Sequence, residues 1–430
     1  MGSLSNTDQV YKLGSLDSLP NEVVSNIYSK MSPKSKRVFG STSKTNRAIY
    51  KNQLGLQHLK RIEEFRYYKG LPKLKPKTVK DLPKEKDLSG YHIYLKYDCH
   101  IRLDVILHAL LNRNVKCVTL SEDIEECKQH KPFKLGRFFQ SNDPVYVVFK
   151  NFFDVEVMNF AKSLKYLKIT KTNIEHLQFT QIAGYEELES FVYSRNFRDK
   201  SAQDRDILNV LARNPNIWRL SLKQTSIDEK FTLNKIMYTN PYITHFNFSG
   251  LKVKNEYGSY ERLQDINIVK ILHDAKHIMS INLDHSQISN VTLVGLTNNN
   301  QFLKRISLLK TYDMDLDVGL KYMLETRDLQ YINIDCNMLN YDVIELLLNV
   351  RNIKIGYNSD ICDINQVSEF VMEAAETRRL TSVNIDGEKI DVKDLLNGSR
   401  ESKGSSKVEK KLHNTDDLTS YKILELHLDY

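Results

Sequence analysis

From about Tyr91 onward, apolar residues recur in a fixed spacing: counted from the first apolar residue of each copy, they stand at positions 1, 4, 6 and 11, with a small or polar residue at position 9. Leu164, Leu167, Ile169, Thr172 and Ile174 set the pattern. Ile217, Leu220, Leu222, Thr225 and Ile227 repeat it, as do Ile278, Ile281, Leu283, Ser286 and Ile288, then Leu329, Ile332, Ile334, Asn337 and Leu339. Leu380, Val383, Ile385 and Ile390 make a further copy with Glu388 at position 9. Weaker copies begin at Val115, Leu188, Ile243, Leu303 and Val350; a poor one lies near Val145–Phe149, and a truncated one begins at Ile423.

Alternation at positions 4 and 6 predicts a short strand that points those side chains into a core and position 5 outward. The position-9 residues (Thr172, Thr225, Ser286, Asn337, Asn358) are predicted to hydrogen-bond backbone where the chain leaves the strand. Helical spacing intervenes at Ile207/Leu208/Leu211, Val343/Leu347 and Val367/Phe370/Val371/Ala374. A unit of one strand and one helix cannot bury its apolar face alone, so the copies must stack on one another.

The spacing resembles the leucine-rich repeat. That resemblance implies an α/β solenoid over residues 91–430, with a curved parallel sheet inside and helices on the convex side. A polar Ser/Lys-rich stretch around 397–418, before the last strand at Ile423–Leu428, is expected to be a flexible insertion. Residues 1–55 carry short helical signals, and 56–90, punctuated by Pro and Lys, read as a basic connector.

Within 1–55, Pro20 suits the first turn of a helix and Glu22 places negative charge at its N-terminus. Val23, Val24, Ile27 and Met31 continue it as one apolar stripe; Ser32-Pro33 starts a second helix, and Ala48 and Ile49 belong to a third. So small a core gains stability by docking onto something else. Leu19-Pro20, Glu22-Val23-Val24, Ile27, Met31-Ser32, Ser43-Lys44 and Arg47 resemble the F-box motif, a small three-helix unit that this family often places before leucine-rich repeats. The resemblance implies that Leu19, Pro20, Glu22, Val23, Val24, Ile27 and Met31 dock a Skp-type adaptor and, through it, a cullin–RING ubiquitin ligase. Asn46 stands where the family commonly has an aromatic residue, and Lys34, Lys36 and Arg37 make the middle helix cationic.

Charge changes the picture only when located. The net charge of +8 divides into 18 Lys/Arg against 8 Asp/Glu in residues 1–90, and 44 against 46 in the rest. A nucleic-acid groove needs its basic excess along the binding face, so the repeats argue against one; the excess lies in the N-terminal region and its connector. The five cysteines (Cys99, Cys117, Cys127, Cys336, Cys362) are widely spaced with no Cys-x-x-Cys pair, and are expected to be buried reduced thiols. Apolar runs such as Val105–Leu111 fall short of a membrane span, and the polar start of the chain lacks a secretory signal. A cytoplasmic or nuclear location is therefore expected.

Catalytic patterns are absent: there is no phosphate loop, no dinucleotide-binding glycine pattern and no nucleophile elbow. His273 and His277, four apart on an expected helix, lack the glutamate of a zinc-protease motif and a third ligand, so no metal or other cofactor is expected. The expected chemistry is recognition. Outward positions 3, 5 and 7 place Tyr166, Lys168, Arg219, Lys223, His245, Arg305 and Tyr331 on the concave face, with Trp218 beside them at position 2 and the cationic early residues suited to an acidic or phosphorylated target. The expected function is a non-catalytic substrate receptor of a ubiquitin ligase. The alternatives are a non-degradative scaffold in a multiprotein complex and a nucleic-acid binder acting through residues 56–90.

Overall fold

The structure, a computed structural model, describes residues 59–97, 103–122, 135–150, 162–171, 187–194, 204–228, 233–255, 257–311, 316–357, 364–376, 380–385, 388–390 and 422–428. The F-box-like motif and the 397–418 stretch lie outside these residues. The chain divides into two compact units, Met1–Leu71 and Pro72–Tyr430. In the first, the described residues form a helix over 59–70.

The second unit is the repeat array. Its strands begin with β1 (Lys73–Leu74), β2 (His92–Tyr97), β3 (Cys117–Glu122), β4 (Tyr146–Lys150), β5 (Tyr166–Thr170), β6 (Ser190–Ser194) and β7 (Arg219–Ser221). They continue with β8 (Ser226–Asp228), β9 (His245–Asn247), β10 (Lys252–Lys254), β11 (Tyr260–Arg262), β12 (Ser280–Asn282) and β13 (Arg305–Ser307). The last are β14 (Tyr331–Asp335), β15 (Asn352–Tyr357), β16 (Leu380–Ile385), β17 (Glu388–Ile390) and β18 (Lys422–Leu428). Fifteen of them form one sheet, and β8, β10 and β11 form a small second one. From β1 to β15 the large sheet is parallel throughout.

The repeat arithmetic becomes one ladder. Position-4 residues Ile93, Val118, Val147, Leu167, Phe191, Leu220, Phe246, Ile281, Ile306, Ile332 and Ile353 pair in unbroken register. Each is at most 2% exposed. The weak copies at Val115, Leu188, Ile243, Leu303 and Val350, and the poor one at Val145–Phe149, all join it. Connecting helices such as Asp204–Arg213, Asn290–Asn299 and Asp317–Thr326 bury Ile207, Leu211, Leu293, Leu296, Leu320 and Met323 into the same core. This is the leucine-rich-repeat arrangement: strand, turn and helix per copy, with parallel strands stacked.

Two local devices set the turns. Position 8 is left-handed in Lys171, Gln224, Gly250, His285 and Lys310, with φ between 53° and 63°. This conformation is rare for residues with a Cβ. Here it turns the position-8 N–H onto the next repeat: Gln224 donates to the Ser249 carbonyl, Gly250 to that of Asp284 and His285 to that of Leu309, each at 2.8 Å. At position 9 the predicted bond forms in Thr225 and Ser286, whose hydroxyls donate to the Leu222 and Leu283 carbonyls. Thr311 does the same toward Leu308 at 3.0 Å. Asn337 instead lies exposed in a short 3-10 turn, and Thr172 and Asn358 lie outside the described residues.

A third device escaped the pattern. Asn142, Asn214 and Asn300 each stand three residues before position 1 of a copy. Their side-chain oxygens accept from the position-1 N–H of the preceding copy: Val115, Leu188 and Ile278, each at 3.1 Å. All three are buried, so each supplies the partner that a buried donor needs.

The array begins earlier than expected. Residues 72–90, expected to end the connector, join the array instead: β1 pairs with β2, Leu88 is fully buried, and the Leu88 N–H donates to the Arg113 carbonyl. The first repeat uses this stretch to cover its open side, so Pro and Lys punctuation here marks turns and not a separate linker.

The C-terminal end also departs from the pattern. β18 lies between β15 and β16, antiparallel to both. Ile423 therefore does not begin a truncated parallel copy; alternation specifies which side chains face inward, not strand direction. Leu424 and Leu426 face the core with no exposed surface, and they continue the position-6 and position-4 ladders between Ile355 and Ile385 and between Ile353 and Val383. Glu388 sits at position 9 because β16 and β17 form a hairpin in which Ile385 pairs with Glu388. The intervening Asp386-Gly387 is a hairpin signature.

Cys336 also differs from expectation: it is buried and disulfide-bonded. A bridge made by tertiary proximity leaves no spacing signature. Cys117 is a buried thiol outside any disulfide, pushed up to about 12 by burial.

Two stability changes follow. Leu426→Ala removes a fully buried side chain shared by β15 and β16, and is expected to cost about 2–5 kcal/mol in chemical denaturation. Asn214→Ala strands the Leu188 N–H, at an expected cost of about 1–3 kcal/mol. A cost near zero in equilibrium unfolding contradicts the bonding role assigned to Asn214.

Candidate protein-binding face

Because the strands are in register, positions 3, 5 and 7 also form ladders, on the face of the large sheet opposite the apolar ladder. Their chemistry changes along the array. Over β2–β6 the face is aromatic and largely buried: His92 (4% exposed), Tyr146 (8%) and Tyr166 (2%) line position 3 beside Thr119, Val148 and Val192. The His92 ring lies 4.5 Å from that of Tyr94 and 5.5 Å from that of Tyr146, and its Nε2 hydrogen-bonds the Thr119 hydroxyl at 2.9 Å. Burial, with Lys73 nearby, pulls His92 down to about 4.

Over β12–β15 the same face carries a hydrogen-bonded polar network. Asp284 accepts from the Ser307 hydroxyl at 2.5 Å, the Leu309 N–H at 2.9 Å and the Asn282 amide at 2.9 Å. The Asn333 amide donates to Ser307 at 2.8 Å, and Asp335 accepts from the Lys310 N–H at 2.5 Å. Lys354 pairs with Glu425 of the inserted strand. The Tyr331 hydroxyl is pushed up to about 12, first by burial and then by Asp284 and Glu425, while Arg305 opposes the shift.

The eight sequence-selected residues separate by accessibility. Tyr166 and Trp218 are interior, each 2% exposed, with the Trp218 ring edge-on to that of His245 at 5.1 Å. Arg219 is partly buried; burial lowers its pKa and Tyr146 counters the shift, while the guanidinium stays charged. His245 and Tyr331 are half-buried, and Lys168, Lys223 and Arg305 are exposed. Register places Arg219 beside His245 at position 3, and Arg305 beside Tyr331. Lys168 stands at position 5 of β5, separated from β7 by β6. The structure therefore offers two cationic points and a later arginine–tyrosine pair, not one aromatic–basic patch.

The helix expected to carry both His273 and His277 ends at Asp274, before His277, whose ring lies 6.0 Å from Phe302. Among the described residues no group of three or more His, Cys, Asp or Glu is placed to hold a metal ion. No helix among them is long and apolar enough to cross a membrane.

No family model and no curated protein matches the chain. Solved structures similar to it include internalin InlF from Listeria monocytogenes, at 10% identity and TM-score 0.36, covering 68% of this chain and 80% of that one. Another is the leucine-rich-repeat-containing protein LegL7 from Legionella pneumophila, at 13% identity and TM-score 0.34, covering 70% and 96%. A third is the yeast Rad7–Elc1 complex, at 14% identity and TM-score 0.35, covering 73% and 87%. Alignments this loose add nothing on function; the repeat assignment rests on the sheet register itself.

The depressed His92 gives a pH test. Its folded-state value lies below the ordinary histidine value, so the unfolded chain takes up a proton first as pH falls. Stability is expected to drop between about pH 6.5 and about pH 4, and His92→Gln is expected to flatten that slope. Denaturant midpoints across the range measure it.

Proposed function

We propose that this chain is the substrate-recognition subunit of a Skp-adaptor/cullin/F-box type ubiquitin ligase. Residues around Leu19–Met31 bind the adaptor, and the polar face of the repeat sheet holds a target protein. The reading is carried by the coincidence of the F-box-like motif with an array whose outward ladders carry recognition chemistry and no catalytic group. In this role the chain supplies proximity: holding target and ubiquitin-charged enzyme in one complex replaces a bimolecular encounter with an intramolecular one. Arg305, exposed, with the half-buried Tyr331 beside it, makes the best-placed anchor pair on the face, since such residues dominate interface energetics.

Affinity purification tests both ends. Adaptor, cullin and RING subunits are expected to co-purify with the wild-type chain. Pro20→Ala with Ile27→Asp should lose all three while leaving thermal unfolding of the repeat array unchanged. Arg305→Ala with Tyr331→Ala should retain them and lose the target. Adaptor without cullin would overturn the ligase assignment in favour of a scaffold.

A further inference from the structure

Four successive helices of the array, Asp265–Asp274, Asn290–Asn299, Asp317–Thr326 and Tyr341–Leu347, are tied to one another near their N-terminal ends. Asp265 accepts from the Ser289 N–H at 2.9 Å and from the Ser289 hydroxyl at 2.6 Å. Asn290 accepts from the Gly319 N–H at 2.6 Å, and Lys321 pairs with Asp342 at 2.6 Å. Gly319 allows a close approach, since a Cβ there would lie 2.9 Å from that of Leu293. The alignment puts an apolar row on the surface. Ile266, Val291 and Val318, each second in its helix, are 59%, 61% and 67% exposed, and Tyr341, first in the next, is 76% exposed. A single exposed apolar residue is ordinary; a row of them marks a contact surface.

The row ends in a groove of about 470 Å³ between the helices Asp317–Thr326 and Tyr341–Leu347, lined by Val318, Lys321, Tyr322 and Glu325 on one side and Asn340 and Asp342 on the other. Val318, Tyr322 and Glu325 share one helix face, as do Tyr341 and Glu345. The Tyr322 hydroxyl donates to Asn298 Oδ1 at 2.9 Å, which holds its ring in place. Charge changes sign on reaching this groove. Residues 204–311 hold 14 Lys/Arg against 9 Asp/Glu, whereas residues 312–376 hold 4 against 13. Of those four cations, Lys321 is paired with Asp342, Arg327 donates to the Thr297 carbonyl and Lys354 pairs with Glu425 on the sheet. Glu325 and Glu345 are exposed, and among the described residues neither forms an ion pair. The stretches 312–315 and 358–363 lie outside the described residues and hold four aspartates and no Lys or Arg, so they add no cation.

We propose that the groove and the apolar row form a docking surface for a basic amphipathic helix of a partner protein, its apolar face on Val291, Val318, Tyr322 and Tyr341 and its Lys and Arg side chains against Glu325 and Glu345. An amphipathic helix laid in a groove needs an apolar floor with complementary charge at its border, and both are present here. A lysine or arginine over the exposed Tyr341 ring gains cation–π attraction as well. The same acids repel nucleic acid and anionic lipid, which leaves protein as the partner class. The surface is separate from the sheet face assigned to the target, and the inference uses neither that face nor the adaptor motif.

Fluorescence anisotropy with the full chain tests it. The probes are a labelled helical peptide of lysine and leucine, about four turns long with its leucines on one face, a twin with glutamate in place of lysine, and a peptide of the first composition with its leucines scattered. The first is expected to bind more tightly than either of the others. Glu325→Gln with Glu345→Gln should weaken it about threefold to tenfold, and Val318→Ser with Tyr341→Ala by about tenfold or more. Glu63→Gln with Glu85→Gln removes the same charge from exposed positions elsewhere and should leave binding unchanged. Glu325→Lys with Glu345→Lys should turn the preference toward the glutamate twin. Equal binding of the lysine and glutamate peptides, equal binding of the scattered peptide, or equal loss in the Glu63/Glu85 variant would each overturn the proposal. So would a dimer in sedimentation that Val318→Ser with Tyr341→Ala dissociates, since the surface would then belong to a second copy of this chain.

Discussion

Each copy in this chain carries an apolar strand face that only its neighbours and its own helix can cover, and the in-register stacking of positions 4 and 6 is what the rest of the molecule answers to. From Ile93 to Ile353 the ladder is continuous, and every rung is buried. Once those side chains are aligned, the positions between them are aligned too, so the outward ladders are a by-product of the core. The turns obey the same constraint. A left-handed residue at position 8 aims its N–H at the next copy, and an asparagine before position 1 reaches back to the previous one. Each copy is thus fixed on both sides by backbone groups as well as by apolar contact.

The ends of such an array have no neighbour, and the chain solves the two ends differently. At the start, β1 and the buried Leu88 cover the open side of the first full strand. At the finish, the chain places a reversed strand among its last copies and folds the final one into a hairpin. Antiparallel pairing keeps the inward alternation of Leu424 and Leu426 while terminating the strand–helix repeat. The Lys354–Glu425 pair then ties the inserted strand to the outward face, so closure of the array and the chemistry of its surface meet at one place.

Along that surface the same ladder positions do different work. Near the start they are aromatic and withdrawn from solvent, as in Tyr146 and Tyr166; later they form a polar network around Asp284, Ser307 and Asn333. The hydrogen bonds among these groups hold their side chains in fixed geometry. That leaves Arg305 and Tyr331 as defined contact points.

The sequence by itself determined the repeat, its strand positions, the inward residues and the hydroxyl at position 9, because a period and an inward–outward alternation are local properties of the chain. Even the weak copies at Leu188 and Ile243 fall in register, since a strand with two correct apolar residues is captured by neighbours already aligned. The F-box-like motif is a sequence resemblance, and Leu19–Met31 lie outside the described residues. Only the tertiary structure decided which outward residues are accessible: Tyr166 and Lys168 share the outward side of one strand, yet one is 2% exposed and the other is at the surface. Tertiary structure also decided the direction of β18, the bonding of Cys336 and the pairing of Lys321 with Asp342 across two helices. The reason is common to all of these. Burial, strand direction and charge proximity depend on segments far apart in the chain, and a periodic pattern specifies what each residue faces without specifying what meets it there.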